Sequence, residues 1–424
     1  MGKARIVFII ENVSFPRDRR VRQEVASLAR FGCDCSVICP MGKTQDTKHF
    51  EHIDGVKIFR YQQPWQGRGV LGYLCEYGWA MMWSFLLLVW IWIKYGFDVL
   101  HAANPPDLFC FVAAPFLLLR KRFVFDQHDL CPELLEAKIG PTSILKKMML
   151  IAEHCSYKLA DLVVVTNESA YDIASQRGAR SEKICIVRNG PDLDHFVGVP
   201  ADPRLKGDAQ HLALYIGAMA VQDGVDRVVR AVHHIVHERG RKDVKFAILG
   251  DGDCLSDLQR LAHSLEVEPY IDFAGWVDDT HLFSYLSTAD VCLAPDPPIQ
   301  SNQISTFIKI MEYMCYGKVT VSFDLTESRR TAGPTGIYVE KDDPALFGDS
   351  ILNILDSPEL RERLGEAAAE RIRTCLHWGM SSSALLEGYE RVIWNRLRLC
   401  ADSVDPSKHI ASTQKGDAAG IDEA

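Results

Sequence analysis

The chain of 424 residues is predicted to be an α/β protein built as two doubly wound domains. Short β-branched and aromatic runs alternate with helical patterns along nearly its whole length. That alternation calls for parallel strands with helices on both faces. It pauses at a stretch bearing Pro, Asp and Gly, 197–208, and restarts at His211. With 47% hydrophobic residues, the chain can fill two cores.

Strands are expected in the first half at 6–10, 36–39, 56–61, 98–101, 123–125, 162–166 and 184–188, with helices such as 19–31 and 144–159 between them. The first run is ended by Glu11, too early for the apolar core of a secretory signal, so action in the cytoplasm is expected. In the second half the strands fall at 211–217, 244–249, 271–273, 291–294, 319–322 and 336–339. Residues 357–398 read as helical. The polar stretch 401–424 has no apolar periodicity and reads as a disordered tail. Thirteen cysteines, an odd count without regular spacing, speak for a reducing compartment and against a disulfide framework.

Net charge is −9 and unevenly placed. Residues 1–200 hold 24 Lys and Arg against 21 Asp and Glu, a balance of +3, which leaves −12 for the remainder. A mildly basic half without an aromatic-interleaved basic stripe argues against nucleic acid and for an anionic membrane surface. The segment 79–93 supports that surface, being apolar apart from Ser84. As a helix it would rise about 22 Å, short of the roughly 30 Å hydrocarbon core. Trp79, Trp83 and Trp90 give it an aromatic stripe suited to a headgroup boundary, with Arg17, Arg19, Arg20 and the run Arg120-Lys121-Arg122 as electrostatic support. Burial within the fold or in a protein interface are the alternatives.

The chemistry concentrates around Lys309-Ile310-Met311-Glu312. Residues three apart share a helix face, so Lys309 and Glu312 can address one ligand. A lysine suits a phosphate, and a glutamate accepts hydrogen bonds from a pair of vicinal hydroxyls. Gly317 fits the left-handed stop of that helix, a β-branched strand follows, and Asp324, Glu327 and Arg329 come next. Ser305 and Thr306 stand before the helix and can cap it. The stretch from Tyr215 through Gly217 to Gly224 has a strand, a glycine turn and a helix start, the geometry for close backbone approach to a phosphate. Gly250-Asp251-Gly252-Asp253 reads as a glycine turn after a strand, with a divalent-ion site as its alternative.

In the first half, Phe125-Asp126-Gln127-His128-Asp129 sets His128 and Asp129 at the carboxyl end of a strand, with Glu133 following. Open α/β sheets place their ligands there. The first βα turn lacks G-x-G-x-x-G, so a dinucleotide cofactor is disfavoured. Arg188-Asn189-Gly190 reads as a turn in which Asn-Gly supplies positive φ.

This set of motifs resembles that of the family-four retaining glycosyltransferases, from about Ile6 to Tyr389 and most clearly at 125–133, 186–196, 214–226 and 302–333. The resemblance implies the GT-B fold, two Rossmann-like doubly wound domains facing across a cleft. Residues 1–200 would bind the acceptor and 205–375 the nucleotide sugar, and a helix at 376–400 would cross back to the first domain. It implies catalytic roles for His128, Lys309 and Glu312, and donor contacts from Gly217, Gly224, Gly252, Ser305, Thr306 and Arg329. Arg19, Asp129 and Glu133 would contact the acceptor, and no metal or other cofactor is expected. The implied donor is a nucleotide sugar, a UDP-sugar first. The implied acceptor is lipid-linked or a saccharide, in bacterial surface polysaccharide biosynthesis on the inner leaflet of the cell membrane. The chain departs from the commonest pattern at Ala218, Asp223 and Ile304, where many relatives carry Arg, Lys and Glu. A nucleotide-sugar epimerase of the same fold and a non-catalytic partner subunit are the alternatives.

Overall fold

A computed structural model describes residues 3–42, 45–65, 67, 69–133, 143–196 and 198–401. The chain forms two compact units: Met1–Val165 with Tyr171–Ile186 and Ser382–Ala424, and Thr166–Ala170 with Val187–Ser381.

The first unit is built on β1 (Arg5–Ile9), β2 (Asp34–Pro40), β3 (Phe50–Ile53), β4 (Val56–Tyr61), β5 (Val99–Ala103), β6 (Arg122–Gln127), β7 (Leu162–Val165) and β8 (Ile184–Ile186). They lie in the order β3-β4-β2-β1-β5-β6-β7-β8. All neighbours are parallel except the β3–β4 hairpin. Every residue of β5 and β7 is buried, as in a sheet covered on both faces. Strand order reverses between β1 and β5, the kind of point where such sheets open a crevice at their carboxyl ends. β3 is absent from the predicted set. Its turn, Asp54-Gly55, has φ of +50° and +81°, and Asp-Gly is the dipeptide that tight hairpins favour.

The apolar helix is longer than predicted. It runs Gly69–Lys94, 26 residues, or about 39 Å, and is long and apolar enough to cross a membrane by length and composition. Yet Ala80, Ser84, Leu88 and Ile91 are buried along one stripe, so the helix is a layer of this fold with one face on the core. The tryptophan stripe also differs from expectation. The Trp79 indole N–H donates to the Gln62 carbonyl at 2.7 Å, and its ring packs against Trp65 and Trp83. Of the three tryptophans only Trp90 is exposed, and the outward apolar set joins it with Leu74, Met82, Phe85, Leu86, Trp92 and Ile93. Arg20 is 6% exposed and so is not a surface charge.

The second unit is built on β9 (His211–Ile216), β10 (Val244–Leu249), β11 (Ile271–Gly275), β12 (Val291–Ala294), β13 (Thr320–Phe323) and β14 (Ile337–Val339). Their order is β11-β10-β9-β12-β13-β14, all parallel, with reversal between β9 and β12. Helices Val225–His233 and Pro344–Leu355 close one face over a core that includes Val228, Val232, Phe246, Ile248, Phe347 and Ile351. The interdomain stretch is not free of this unit, because Val199 and Leu205 pack against the core cluster that includes Phe283 and Leu286. The last helix, Trp378–Ala401, enters the first unit from Ser382 onward. The predicted tail beyond Ala401 lies outside the described residues.

Candidate functional site

Three side chains meet where the second sheet reverses. Asp296 stands just past β12, and Lys309 opens the helix Ile308–Cys315. The Lys309 ammonium reaches both Asp296 oxygens, at 2.9 and 3.0 Å. The Tyr215 ring, from β9, lies with its centroid 4.7 Å from the same nitrogen. Burial pushes the Asp296 carboxyl up, and the lysine opposes that shift. An ammonium carries three N–H donors, of which Asp296 can take two. Asp296 was missed from sequence, because a lone carboxylate two residues past a strand carries no motif. Glu312, one turn along from Lys309, is half-buried, and Gly317 ends this helix at φ +61°.

The turns after β9 and β10 lock together through glycine. A Cβ on Gly250 would stand 1.9 Å from the Gly217 carbonyl oxygen, and one on Gly252 would stand 2.5 Å from that of Met219. Gly224, at φ +67°, would strike the Pro295 carbonyl at 2.3 Å. Backbone packing therefore accounts for Gly250, Gly252 and Gly224 before any ligand does. Asp223 also has a local role, since its carboxylate accepts from the Ala220 N–H at 3.0 Å and closes the turn.

Several expected contacts sit differently. Neither Ser305 nor Thr306 caps the helix Ile308–Cys315, whose N-cap is Phe307 without a side-chain bond. The Ser305 hydroxyl donates back to Ser301, while Thr306 accepts from the Asn167 amide at 2.9 Å. Arg329 stacks on Tyr338 and is held in a two-pronged pair by Asp324, one arm at 2.8 Å, so its charge is already matched. Gly190 does not take positive φ. It is needed because a Cβ there would lie 2.3 Å from the Leu376 carbonyl.

In the first unit, Asp126 and His128 leave the end of β6 together. The His128 Nε2 lies 2.5 Å from Asp126 Oδ2. The Asn104 side-chain carbonyl pins the backbone beneath, accepting from the N–H groups of His128 and Asp129 at 2.7 and 3.1 Å. Asn104 stands at the carboxyl end of the neighbouring strand, where the sequence sets polar residues within 104–107. Its amide in turn donates to Asp107, whose carboxyl burial pushes up to about 7. Asp129 is exposed and Arg19 half-buried, while Glu133 pairs with Arg177, which also holds Glu153.

Behind His128 lies a fully buried cluster. Arg20 donates to Asp126 at 2.9 Å and stands 3.2 Å from Glu24. His101 Nε2 is 3.4 Å from both Glu24 and Asp126, and its Nδ1 is 2.7 Å from the Tyr389 hydroxyl. Burial pushes Asp126 up, but the Arg20 guanidinium and the two imidazoles outweigh it and hold this carboxyl well below its ordinary range. Glu24 goes the other way, raised well above its ordinary value by burial and by the Asp126 charge. Glu24, His101 and Asp126 have ligand atoms within 4.8 Å of one another, as a metal site would. The Arg20 guanidinium already fills the cation's place.

Both halves of the chain match known families. Residues 18–190 match the glycosyl transferase 4-like domain, and residues 210–357 match glycosyl transferases group 1. Among curated relatives, the D-inositol 3-phosphate glycosyltransferase of Kineococcus radiotolerans is 26% identical over 272 residues, covering 58% of this chain and 60% of that one. The alpha-D-kanosaminyltransferase of Streptomyces kanamyceticus is 29% identical over 164 residues, covering 38% and 41%. The chain thus spans only about half the length of the curated relatives it matches. Among solved structures, sucrose-phosphate synthase from Thermosynechococcus elongatus superposes with a TM-score of 0.73 at 19% identity, over 92% of this chain and 99% of that one. HepE of Anabaena, in complex with UDP-glucose, gives 0.68 at 15% identity, over 91% and 99%. The fold is GT-B, with two Rossmann-like domains. The chain belongs to the group 1 glycosyltransferases.

Proposed function

We propose that the protein is a retaining glycosyltransferase that takes the glycosyl group of a UDP-sugar to a lipid-linked or saccharide acceptor in surface polysaccharide synthesis. The observation that carries this is the Lys309–Asp296 pair at the reversal of the second sheet, with Glu312 one turn away. In the proposed chemistry the bond from the sugar to the diphosphate breaks, and the acceptor hydroxyl oxygen bonds to the sugar on the same face. The acceptor proton passes to a diphosphate oxygen. Lys309 stabilises the charge that develops on the departing diphosphate, the largest electrostatic demand of such a step. Glu312 accepts from the ribose hydroxyls, and His128 borders the transferred sugar. Side-chain charge does this work without a metal ion. The UDP-glucose held by HepE supports the choice of donor.

The apolar surface of the first unit supports a lipid-linked acceptor on the cytoplasmic leaflet. Ile93 is 75%, Leu118 87% and Ile144 76% exposed. They stand on three successively contacting helices, Gly69–Lys94, Phe109–Leu118 and Ser143–Leu159, beside Lys94 and the basic run 120–122. Apolar patches of this kind, rimmed by charge, mark interaction surfaces. The reading of a non-catalytic partner subunit draws on the prior engagement of Lys309 and Arg329 by carboxylates. Mass spectrometry of UDP-sugar consumption, with and without a membrane-lipid extract, separates the readings. Lipid-stimulated release of UDP is expected; no consumption of any UDP-sugar would favour the partner subunit.

A further inference from the structure

The residues behind His128 form a device that the proposed chemistry does not by itself require. An imidazole next to a carboxylate is held as one tautomer, because the nitrogen facing the carboxylate must carry the proton. His128 turns Nε2 to Asp126 at 2.5 Å, and its Nδ1 has no hydrogen-bond partner among the described residues. Two backbone N–H bonds to Asn104 fix the chain beneath the ring.

The same carboxylate is gripped from behind. Asp126 is wholly buried and receives Arg20 at 2.9 Å, while Arg20 leaves the N-terminal turn of the helix Arg19–Arg30. A second buried carboxyl, Glu24, stands one turn along that helix. Neither of its oxygens accepts a well-formed hydrogen bond among the described residues. A buried carboxylate without donors is far more costly than a buried carboxylic acid. The two carboxyls beside one guanidinium thus differ in kind: Asp126 is the anion, and Glu24 is the neutral acid.

We infer that Asp126 is a positioning residue, ionised by Arg20, that fixes His128 as its Nε2–H tautomer and leaves Nδ1 as an acceptor for a hydroxyl of the sugar. Burial and Arg20 set the two carboxyl groups apart in the directions this requires. The groups facing His101 from each packed element are Asp126, Glu24, Arg20 and the Tyr389 hydroxyl. The tautomer is a property of the free protein, while its use on a sugar rests on the glycosyltransferase reading.

Long-range proton–nitrogen correlation spectra of the full chain, labelled at histidine, test the tautomer directly. At pH 8 the His128 ring is expected with a proton on Nε2 only. A proton on Nδ1, an equal mixture, or a doubly protonated ring would overturn the proposal without any variant. Asp126→Asn should release the ring to a mixture of tautomers, whereas Glu24→Gln, which replaces one neutral group by another, should not. If UDP-glucose is consumed, Asp126→Asn should lower kcat about 10- to 100-fold, the scale for losing a group that orients a functional histidine, with UDP affinity within about twofold. A fall in UDP affinity that matches the fall in kcat would mean that Asp126 only supports the fold. Absence of turnover in the wild type would remove the glycosyltransferase reading but leave the spectra to decide the tautomer.

Discussion

Each sheet places a carboxylate just at or past the end of a strand and sets a cationic side chain on it, yet the two pairs behave differently. Asp126 is engaged by Arg20 and His128 and is wholly enclosed. Among the described residues Asp296 is paired with Lys309 alone, and that lysine retains 10% exposure. The first pair is a closed unit in which a planar guanidinium and an imidazole meet the carboxylate oxygens, the geometry in which arginine excels. In the proposed function the second is half of a site, a point charge that an anion would complete. In the proposed reading the enclosed cation serves orientation, and the less enclosed one serves a ligand.

The largest effect should come from breaking the closed pair. Arg20→Met leaves Asp126 buried without its cation and is expected to cost about 3–5 kcal/mol in urea unfolding of the first unit. Lys309→Met should cost less, about 1–2 kcal/mol, because Asp296 can take up a proton. The sign follows from the raised Asp296 carboxyl. An acid whose folded value is raised is more stable in the folded state at low pH, so the Lys309→Met deficit should shrink as pH falls and grow as it rises. Equal costs at all pH values for the two variants would erase the distinction.

Ligand binding sharpens the contrast from the other side. Glu312→Ala should weaken UDP binding by about 1.5–3 kcal/mol in calorimetry, the usual size for a hydrogen bond to a charged group. Arg20→Met should leave it unchanged wherever the second unit stays folded. A third buried carboxyl, Glu11, has no cation paired with it among the described residues. Burial and the Glu76 charge push it up to about 7. Its stabilising contribution is therefore present in acid and lost as pH rises through that value. Glu11→Gln should stabilise the protein by about 2 kcal/mol at pH 8 and by little near pH 5, read from thermal melts. The smallest effect on folding belongs to the exposed apolar helices. Replacing Ile93 and Leu118 together by Ser should change stability by less than about 0.5 kcal/mol. It should nonetheless abolish co-sedimentation with anionic vesicles, and wild-type protein left in the supernatant at low salt would refute the lipid surface.

Much of the fold was legible because parallel strands buried on both faces leave unbroken apolar runs. Strands 56–61, 244–249 and 291–294 fall where the sequence put them. The β3 strand escaped, since Phe50-Glu51-His52-Ile53 at an edge carries little apolar signal. The long helix was under-read at its start, where Gly69, Gly72, Gly78 and Glu76 interrupt the apolar run that tertiary packing nonetheless keeps helical. For the site, the motif residues His128, Lys309 and Glu312 stand out in the sequence as candidates, but the pairings they make in the fold do not. Asp296, Asn104, Glu24 and His101 come to Lys309 and His128 from other strands or helices, and pairing across a sheet leaves no mark in local spacing. Charge commitments were equally hidden: nothing in the run 324–329 says that Arg329 turns back onto Asp324.

The crossing of the last helix has a consequence for how the protein comes into being. Residues Leu385 and Tyr389 are buried in the first unit, and the Tyr389 hydroxyl meets His101, a residue made almost three hundred positions earlier. Ribosomal synthesis delivers the whole of the second unit in between. The N-terminal sheet therefore emerges with an uncovered seam, and it must wait for its own final segment while its neighbour folds. Nascent chains halted before Ser382 should be more readily cleaved by protease within the first 186 residues than released full-length protein.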